Sequence, residues 1–357
     1  MSSNKTLITT GQLATTIISS IMGVEIMYMQ NGIIKYAKQD ACISTLIGAI
    51  YPLYMIFAAN YMCKKYPEDN ILSLSKKCFG SIMGSILNFI FSIYFLSVLT
   101  TELAGLTNVF RVYATSFLKR YQIFISVMLP IAYISYKGLK TLVKCNETIF
   151  YLTIILIVVP VGALFSGSYL NVMPVFDNSI IDIGKGAVST IFPYTGAECV
   201  FWLYPFLDNK KNLLKVGIFS CIYIAFIYSL TVFFTIYYFG SDICLKFLWP
   251  FLTLADAVTI PIINSIRYIF ISLWALIVFK CIATYYFSCC FCVSNVLKNF
   301  SIMKVSIVLY PIAISLALLY GNPTFRRSIE NKVTIVYFAF NILYVSLIVF
   351  LIHIKKR

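Results

Sequence analysis

The apolar run over residues 186–207 is interrupted at its centre by the sequence FPYTGAE at residues 192–198. A proline, a glycine and a carboxylate in the middle of a membrane-length run break the helix where lipid could not satisfy the freed backbone groups. Such a break is tolerated only where it is buried in protein or lines a water-filled cavity. The interruption therefore predicts a binding site near the midplane of a helical membrane protein.

The composition of the chain supports this class. Of its 357 residues, 60% are hydrophobic and 11% are charged, and the mean hydropathy is +0.88, whereas soluble domains carry about 25% charged residues. The apolar runs are continuous and do not alternate, which excludes a transmembrane β-barrel. We predict an all-α polytopic membrane protein with a single membrane domain over residues 1–357. Its first span is expected to be retained, because no cleavage pattern of small residues follows the N-terminus.

Ten apolar runs are long enough to be predicted as transmembrane helices. They cover residues 8–30, 41–62, 81–110, 122–136, 147–166, 186–207, 213–240, 264–296, 305–320 and 333–353. The connector 241–263 is half apolar but contains Trp249-Pro250, Asp256 and Pro261. It is predicted to be an external amphipathic or re-entrant segment, and an eleventh span is the alternative.

The basic residues fit membrane topology better than nucleic-acid binding. With both termini in the cytoplasm, 16 of the 28 Lys and Arg residues fall in inner connectors and 11 in outer ones, and Lys280 lies inside a span. This modest excess favours the orientation with cytoplasmic termini. The net charge of +15 is therefore predicted to serve topology and contacts with anionic membrane lipid, and no nucleic-acid partner is expected.

The sequence contains few features of a metal site, a cofactor site or an enzyme. Most of the 11 cysteines lie in apolar runs, where cysteine acts as a small hydrophobic residue. The run Cys289-Cys290-Phe291-Cys292 lacks the paired spacing of a zinc site, and His353 is the only histidine. HExxH and GxSxG motifs are absent from the sequence. We predict no metal site, no cofactor and no enzymatic activity.

Another interruption lies in the first predicted span, five spans before the one at residues 192–198. The first span contains SSIMGVE at residues 19–25, and an offset of five spans gives two halves of opposite orientation. Paired interruptions at corresponding places in two halves indicate a transporter-type site. We predict inverted repeats over about 8–166 and 186–353. The alternative is a packing glycine at Gly23 and a simple proline kink at Pro193.

The chain resembles the amino acid–polyamine–organocation superfamily, and within it the permease-like B subunit of spore germinant receptors. The features that carry the resemblance are LITTGQL at 7–13, the third span with Glu102, ECVFWLYP at 198–205, and Trp249-Pro250. The resemblance covers nearly the whole chain. It implies a LeuT-type fold, a 5+5 inverted repeat of ten transmembrane helices with helices 1 and 6 broken, and a substrate surrounded by spans one, three, six and eight.

Three ionisable residues lie well inside predicted spans, namely Glu102, Glu198 and Lys280. Such residues are costly in a membrane and mark pathways or paired charges. They are predicted to form an ion or proton pathway. The alternative is a structural ion pair of Lys280 with Glu102 or Glu198. Glu25, near the end of span one, is expected at the membrane interface.

Helical spacing adds Tyr94, Val98 and Thr284 to the predicted site. Tyr94, Val98 and Glu102 are four residues apart and share one helix face, as do Lys280 and Thr284. The resemblance implies that an amino acid binds with its carboxylate at backbone N–H groups near Gly23 or Gly196, because half-helix N-termini attract anions. Its ammonium is then expected at carbonyls of the opposite half-helix.

The resemblance also implies the walls of the pocket. Ile21, Val98 and the Thr195 region would bound the ligand side chain, and Thr284 could add a hydroxyl group. Lys280 would stand where sodium-coupled relatives hold an ion, which disfavours sodium coupling.

Two functions are compatible with these features. The first is a nutrient-binding subunit of a spore germinant receptor, which senses a nutrient such as an amino acid in the spore inner membrane. It would act with a large membrane subunit and a lipoprotein to trigger germination, with ion release as one output. The second is a free-standing proton-coupled amino acid permease of the cell membrane, with Glu102 or Glu198 as the proton carrier.

Overall fold

The structure, a computed structural model, is almost entirely helical in the ranges it describes, which are residues 7–157, 159–257, 266–297 and 300–354. The α-helices of these ranges are α1 Thr10–Ile21, α2 Met29–Ala37, α3 Ala41–Gly48, α4 Ile50–Lys65, α5 Ile71–Phe79, α6 Ser81–Tyr113, α7 Arg120–Lys137, α8 Leu139–Thr153, α9 Ile180–Val188, α10 Val200–Leu203, α11 Leu213–Phe239, α12 Ser241–Cys244, α13 Pro250–Ala257, α14 Ile266–Val296, α15 Ile302–Leu318 and α16 Pro323–Ile354. Short 3-10 segments follow or join them at Val24–Met27, Lys38–Asp40, Ile154–Ile157, Val159–Phe165, Tyr169–Val172, Ala197–Cys199, Tyr204–Phe206 and Lys210–Asn212.

The start of α1 is fixed by local hydrogen bonds. Thr9 Oγ1 accepts from the Gln12 backbone N–H at 3.2 Å, and Gln12 Oε1 accepts from the Thr9 N–H at 3.2 Å. This capping box satisfies two backbone donors that the first turn leaves free. Just before it, Ile8 pairs with Leu207 in a parallel bridge. The beginning of α1 is thereby joined to the segment that follows α10.

Six helical stretches within the described residues are long and apolar enough to cross a membrane. They are Met29–Lys65, Ser81–Tyr113, Leu139–Phe165, Lys210–Phe239, Arg267–Val296 and Pro323–Ile354. Ile302–Leu318 is a shorter apolar helix. The last long helix begins at Pro323 and not at the predicted residue 333. Residues 323–332, which the predicted spans leave in a connector, form the first turns of α16.

The central helices of the fold are α6 and α14, which pack along each other. In the most apolar window of Arg267–Val296, 78% of the residues are buried, compared with 27% for Leu139–Phe165 and 28% for Pro323–Ile354. α14 also packs against α1, α7 and α8. The predicted eighth span, α14, is therefore the most buried of the long helices, and a buried polar side chain on it must find a partner within the protein.

The connector predicted over 241–263 contains α12 and α13 in its described part, residues 241–257. A bilayer-crossing helix needs about 20 residues, and neither of these helices reaches that length. α13 packs against α11, α14, α2 and the 3-10 turn Val24–Met27. The remaining residues of the prediction, 258–263, lie outside the described ranges.

Candidate functional site at two helix interruptions

The backbone between α1 and α2 is not α-helical. α1 ends at Ile21, Met22 is extended, Gly23 is neither helical nor extended, and a 3-10 turn follows before α2 begins. The N–H of Val24, which this geometry frees, donates to Glu102 Oε2 at 2.8 Å. A carboxylate at the start of a helical turn is electrostatically favourable. Glu102 of α6 therefore caps the first interruption.

Gly23 leaves room for two carboxyl groups. A Cβ atom built on Gly23 would overlap Glu102 Oε2 and would lie 2.8 Å from Glu102 Cδ and 2.6 Å from Glu25 Oε2. Real Cβ atoms do not approach other heavy atoms this closely. A residue with a side chain at position 23 would have to displace one of the carboxyl groups.

The second interruption lies between α9 and α10. Gly196 has φ +120°, a region that L-residues with side chains rarely adopt. Its N–H donates to Glu198 Oε2 at 2.6 Å. The second interruption is therefore capped by a carboxylate of the chain, as the first one is.

The two interruptions are in direct contact. Ser20 Oγ donates to the Gly196 carbonyl at 3.0 Å. The hydroxyl of Tyr228, on α11, lies 2.9 Å from the Ile21 carbonyl and 3.1 Å from the Pro193 carbonyl. These polar groups satisfy carbonyls that the broken helices leave free.

Glu198 is fully buried and holds together three parts of the fold. Besides Gly196, it accepts hydrogen bonds from the Tyr51 hydroxyl of α4 and from Asn341 Nδ2 of α16, the latter at 3.1 Å. A buried carboxylate is tolerated when donors surround it in this way. These contacts give Glu198 a structural role at the second interruption.

We expect Glu198→Ala to destabilise the protein strongly. The change leaves three buried donors without an acceptor, and each costs about 1–3 kcal/mol, so the loss in unfolding free energy should be about 3 kcal/mol or more. Glu198→Gln keeps one acceptor oxygen and should lose less than half as much. Thermal and denaturant unfolding of the detergent-purified protein measures both, and equal losses for the two variants would contradict this role.

A cavity lies beside the second interruption, between α6 and α16. It has an empty volume of about 330 Å³ that includes space open to solvent. Its lining includes Tyr94, Val98, Phe192, Thr195, Glu330 and Val333. Tyr94 is buried, and its hydroxyl makes no well-formed hydrogen bond to the described residues but lies near the carboxyl of Glu198. The cavity thus offers a hydroxyl group, a carboxylate and an apolar wall.

The predicted site residues divide into three groups. Tyr94, Val98 and Thr195 line the cavity between α6 and α16. Ile21, Gly23 and Gly196 lie at the interruptions, and their backbones contact the rest of the protein as described above. Thr284 does not line the cavity. Its hydroxyl donates to the Lys280 carbonyl at 2.8 Å and accepts from Asn146 Nδ2 at 3.0 Å.

Lys280 is buried without an acidic partner. Neither Glu102 nor Glu198 forms an ion pair with it in the described structure, so the alternative of a structural pair is wrong. Its Nζ atom lies 5.4 Å from the ring centroid of Phe150.

A buried charge cluster, which the sequence analysis missed, lies next to the first interruption. We define it as Glu25, Tyr28, Glu102, Arg326 and Glu330, all less than 9% exposed. Arg326 Nη1 donates to Glu330 Oε2 at 2.8 Å, and the Tyr28 hydroxyl lies 2.7 and 2.8 Å from the two Glu330 oxygens. The cluster links α2 to α16.

The position of Glu25 also differs from the prediction. Glu25 is predicted at the membrane interface, but only 3% of its surface is exposed, and its carboxyl lies beside that of Glu102 near Gly23. Its Oε1 atom has no hydrogen-bond partner in the described part of the chain. The interrupted backbone turns the side chain inward, which a count of residues along a regular helix could not indicate.

In the part of the chain that the structure describes, no group of three His, Cys, Asp or Glu side chains is arranged to hold a metal ion.

Comparison of the sequence with protein families gives one match over most of the chain. Residues 7–326 match the spore permease family, described as "Spore germination protein". The spore germination protein GerQB of Bacillus cereus is 24% identical over 259 residues, which are 72% of each chain. The spore germination protein YndE of Bacillus subtilis (strain 168) is 21% identical over 296 residues, 82% of each chain.

Comparison with solved structures shows the fold. A Na⁺-coupled sialic acid symporter in a substrate-bound outward-open state superposes with a TM-score of 0.66 at 10% identity, covering 91% of this chain and 75% of that one. MhsT in complex with L-phenylalanine gives 0.65 at 13% identity, covering 95% and 87%. The chain therefore has the fold of these LeuT-type transporters.

Proposed function

The chain belongs to the spore germination protein family, and from this premise we propose that it is the nutrient-binding subunit of a spore germinant receptor. It is a multi-pass membrane protein of that family, with a transporter fold and no enzymatic role. In the proposed role it resides in the spore inner membrane. It binds a nutrient such as an amino acid and passes the signal to a large membrane subunit and a lipoprotein.

The architecture that we propose for this role has ten transmembrane helices in two inverted repeats, about 8–166 and 186–353. The observation that supports it is the contact between the two interruptions, through Ser20 and Gly196 and through the Tyr228 hydroxyl. In this arrangement the broken helices 1 and 6 meet at the centre of the fold, where inverted-repeat transporters bind their substrates.

The cavity between α6 and α16, which we name the nutrient cavity, is the observation that carries the proposed function. A zwitterionic amino acid would place its ammonium toward the carboxylate of Glu330 and the hydroxyl oxygen of Tyr94, because both accept hydrogen bonds from a charged donor. Val98, Phe192 and Val333 would surround the side chain.

This placement differs from the one implied by the family resemblance. The ligand carboxylate was expected at backbone N–H groups near Gly23 or Gly196. The Val24 and Gly196 N–H groups instead donate to Glu102 and Glu198. An anionic ligand group there would meet a carboxylate, and like charges at such a distance repel strongly in a buried site.

The role is tested with spores that lack the gene, exposed to a panel of nutrients. We expect the loss of germination in response to one nutrient or nutrient group, and restoration by the wild-type gene. Unchanged responses to every nutrient that wild-type spores recognise would contradict the proposal.

Filling the nutrient cavity should weaken the response. We expect Val98→Phe to raise the nutrient concentration for half-maximal germination by about tenfold or more, since overpacking costs about 1–3 kcal/mol. The matched control is Ile82→Phe on the same helix, because Ile82 is 82% exposed and a larger side chain there meets no wall. Equal sensitivity of the two variants would count against the cavity.

The second candidate function is a proton-coupled amino acid permease. The observation that favours it is the position of Glu25 and Glu102, two buried carboxyl groups beside Gly23, since buried carboxyls in membrane proteins often relay protons. Saturable counterflow of labelled amino acid in liposomes that contain only this protein would support the permease. A neighbouring gene pair for a large membrane subunit and a lipoprotein would support the receptor.

A further inference from the structure

A second and larger cavity lies on the other side of the first interruption. It has an empty volume of about 620 Å³, which includes space open to the outside. We name it the lysine cavity, because Lys280 of α14 forms part of its wall together with Met22, Phe150, Tyr223, Phe234 and Trp274. Apart from Lys280 and a few hydroxyl groups, its lining is apolar and aromatic.

The ammonium group of Lys280 has no counter-ion among the residues that the structure describes. All 13 Asp and Glu residues lie in the ranges that the structure describes, and none forms an ion pair with Lys280. Lys280 is 1% exposed, and its Nζ atom lies 5.4 Å from the centroid of the Phe150 ring. A buried charge without a partner is costly and is rarely kept without a use.

A second donor on the same wall is also unsatisfied. Trp274 is buried on α14 and lines the same cavity, and its Nε1–H has no acceptor in the described part of the chain. Two donors, one of them charged, therefore border an apolar space that contains no carboxylate. This arrangement is complementary to an anionic acceptor group attached to an apolar body.

We propose that the lysine cavity binds a lipophilic monocarboxylic acid, with its carboxylate on Lys280 and Trp274 and its hydrocarbon body along the aromatic walls. A free amino acid fits less well, because its ammonium would be buried among apolar side chains. Ile154, which lines the cavity, is 47% exposed on the surface of the helix bundle. A ligand could thus enter from the bilayer as a fatty acid, or from water as a small aromatic acid.

The test uses the purified full-length protein in nanodiscs of phosphatidylcholine, without any nutrient. Thermal unfolding is followed as decanoate, decanol or 3-phenylpropionate is added, since a ligand that binds only the native state raises the unfolding temperature. Decanol is the matched control, because it has the same chain length without the charge. A response to decanoate alone indicates a bilayer source, and a response to both acids indicates a cavity open to soluble acids.

We expect decanoate to stabilise the wild-type protein at concentrations about 10- to 100-fold lower than decanol does, the range expected for a charge-assisted hydrogen bond. Lys280→Met should abolish this difference and should not lower stability without ligand, because it removes an unpaired buried charge. The matched control Lys246→Met, at an exposed lysine, should keep the difference.

Equal effects of decanoate and decanol on the wild-type protein would overturn the proposal, as would an unchanged decanoate response in Lys280→Met. The comparison of decanoate with decanol on the wild-type protein tests the proposal even if Lys280→Met cannot be purified. Trp274→Phe keeps the charge of Lys280 and should weaken decanoate binding to a smaller extent than Lys280→Met does. Because no germination is measured, failure here leaves the proposed nutrient role untouched.

Discussion

Spores carrying Gly196→Val are expected to lose the nutrient response of this protein completely. Gly196 has φ +120°, and residues with a side chain pay about 1–2 kcal/mol in left-handed backbone regions. A Cβ atom there would overlap the Ser20 carbonyl oxygen and lie 2.6 Å from its carbon and 2.9 Å from the Tyr285 hydroxyl. The two interruptions could then no longer touch.

The response is measured as germination of spores in the nutrient that the deletion panel identifies, with immunoblotting of membranes to show that the variant inserts. Gly184→Val is the matched control. Gly184 lies in α9, just before the same interruption, and a Cβ atom there meets nothing within 4 Å. Gly23→Val should resemble Gly196→Val, because it displaces the carboxyl groups of Glu25 and Glu102. A wild-type response from either of these two variants would count directly against the site.

Replacement of Arg326 by methionine should destabilise the protein by about 3–5 kcal/mol, the usual cost of removing one partner from a buried ion pair. The change leaves Glu330 without its cation and without the hydrogen bond from Nη1, while Glu25 and Glu102 remain nearby in the charge cluster. Arg326 also lies over the ring of Tyr28, with its guanidinium carbon 5.0 Å from the ring centroid. Its loss therefore weakens the link between α2 and α16.

Denaturant unfolding of the purified protein measures this effect. The double variant Arg326→Met with Glu330→Gln should recover part of the loss, because the uncompensated charge is then gone. Arg267→Met is the matched control, since Arg267 and Asp256 form a pair at 3.0 Å whose side chains are 31% and 41% exposed. Such exposed pairs contribute about 0–1 kcal/mol. Equal losses for Arg326→Met and Arg267→Met would show that the cluster is not an energetic link.

The sequence predicts the helical class and the place of the interruptions because both depend on local chemistry. Proline and glycine at 193 and 196 prevent a regular helix wherever they lie in the fold. The sequence at residues 19–25 is a weaker signal for an interruption, because the need for glycine at position 23 comes from the two carboxyl groups that the structure places beside it. The spacing of Tyr94 and Val98 correctly puts them on one face of α6, since helical periodicity is a property of the segment alone.

Other features depend on which helices meet, and the sequence does not contain that information directly. Lys280 and Thr284 share a face as predicted, but that face meets α8, where Asn146 bonds to Thr284. Arg326 and Glu330 were missed because hydropathy assigns a charged stretch to a connector. The signal that could have found them is their i, i+4 spacing with opposite charges, which favours a helix and an ion pair.

The most direct test of the central claim is to map where an amino acid binds. Purified protein is illuminated with a diazirine analogue of leucine, with and without an excess of the nutrient that the spores recognise, and the labelled peptides are sequenced by mass spectrometry. We predict nutrient-sensitive labelling at residues 94–101, 192–197 and 329–337, which surround the nutrient cavity. Labelling that the nutrient does not suppress there, or nutrient-sensitive labelling confined to other helices, would contradict the account.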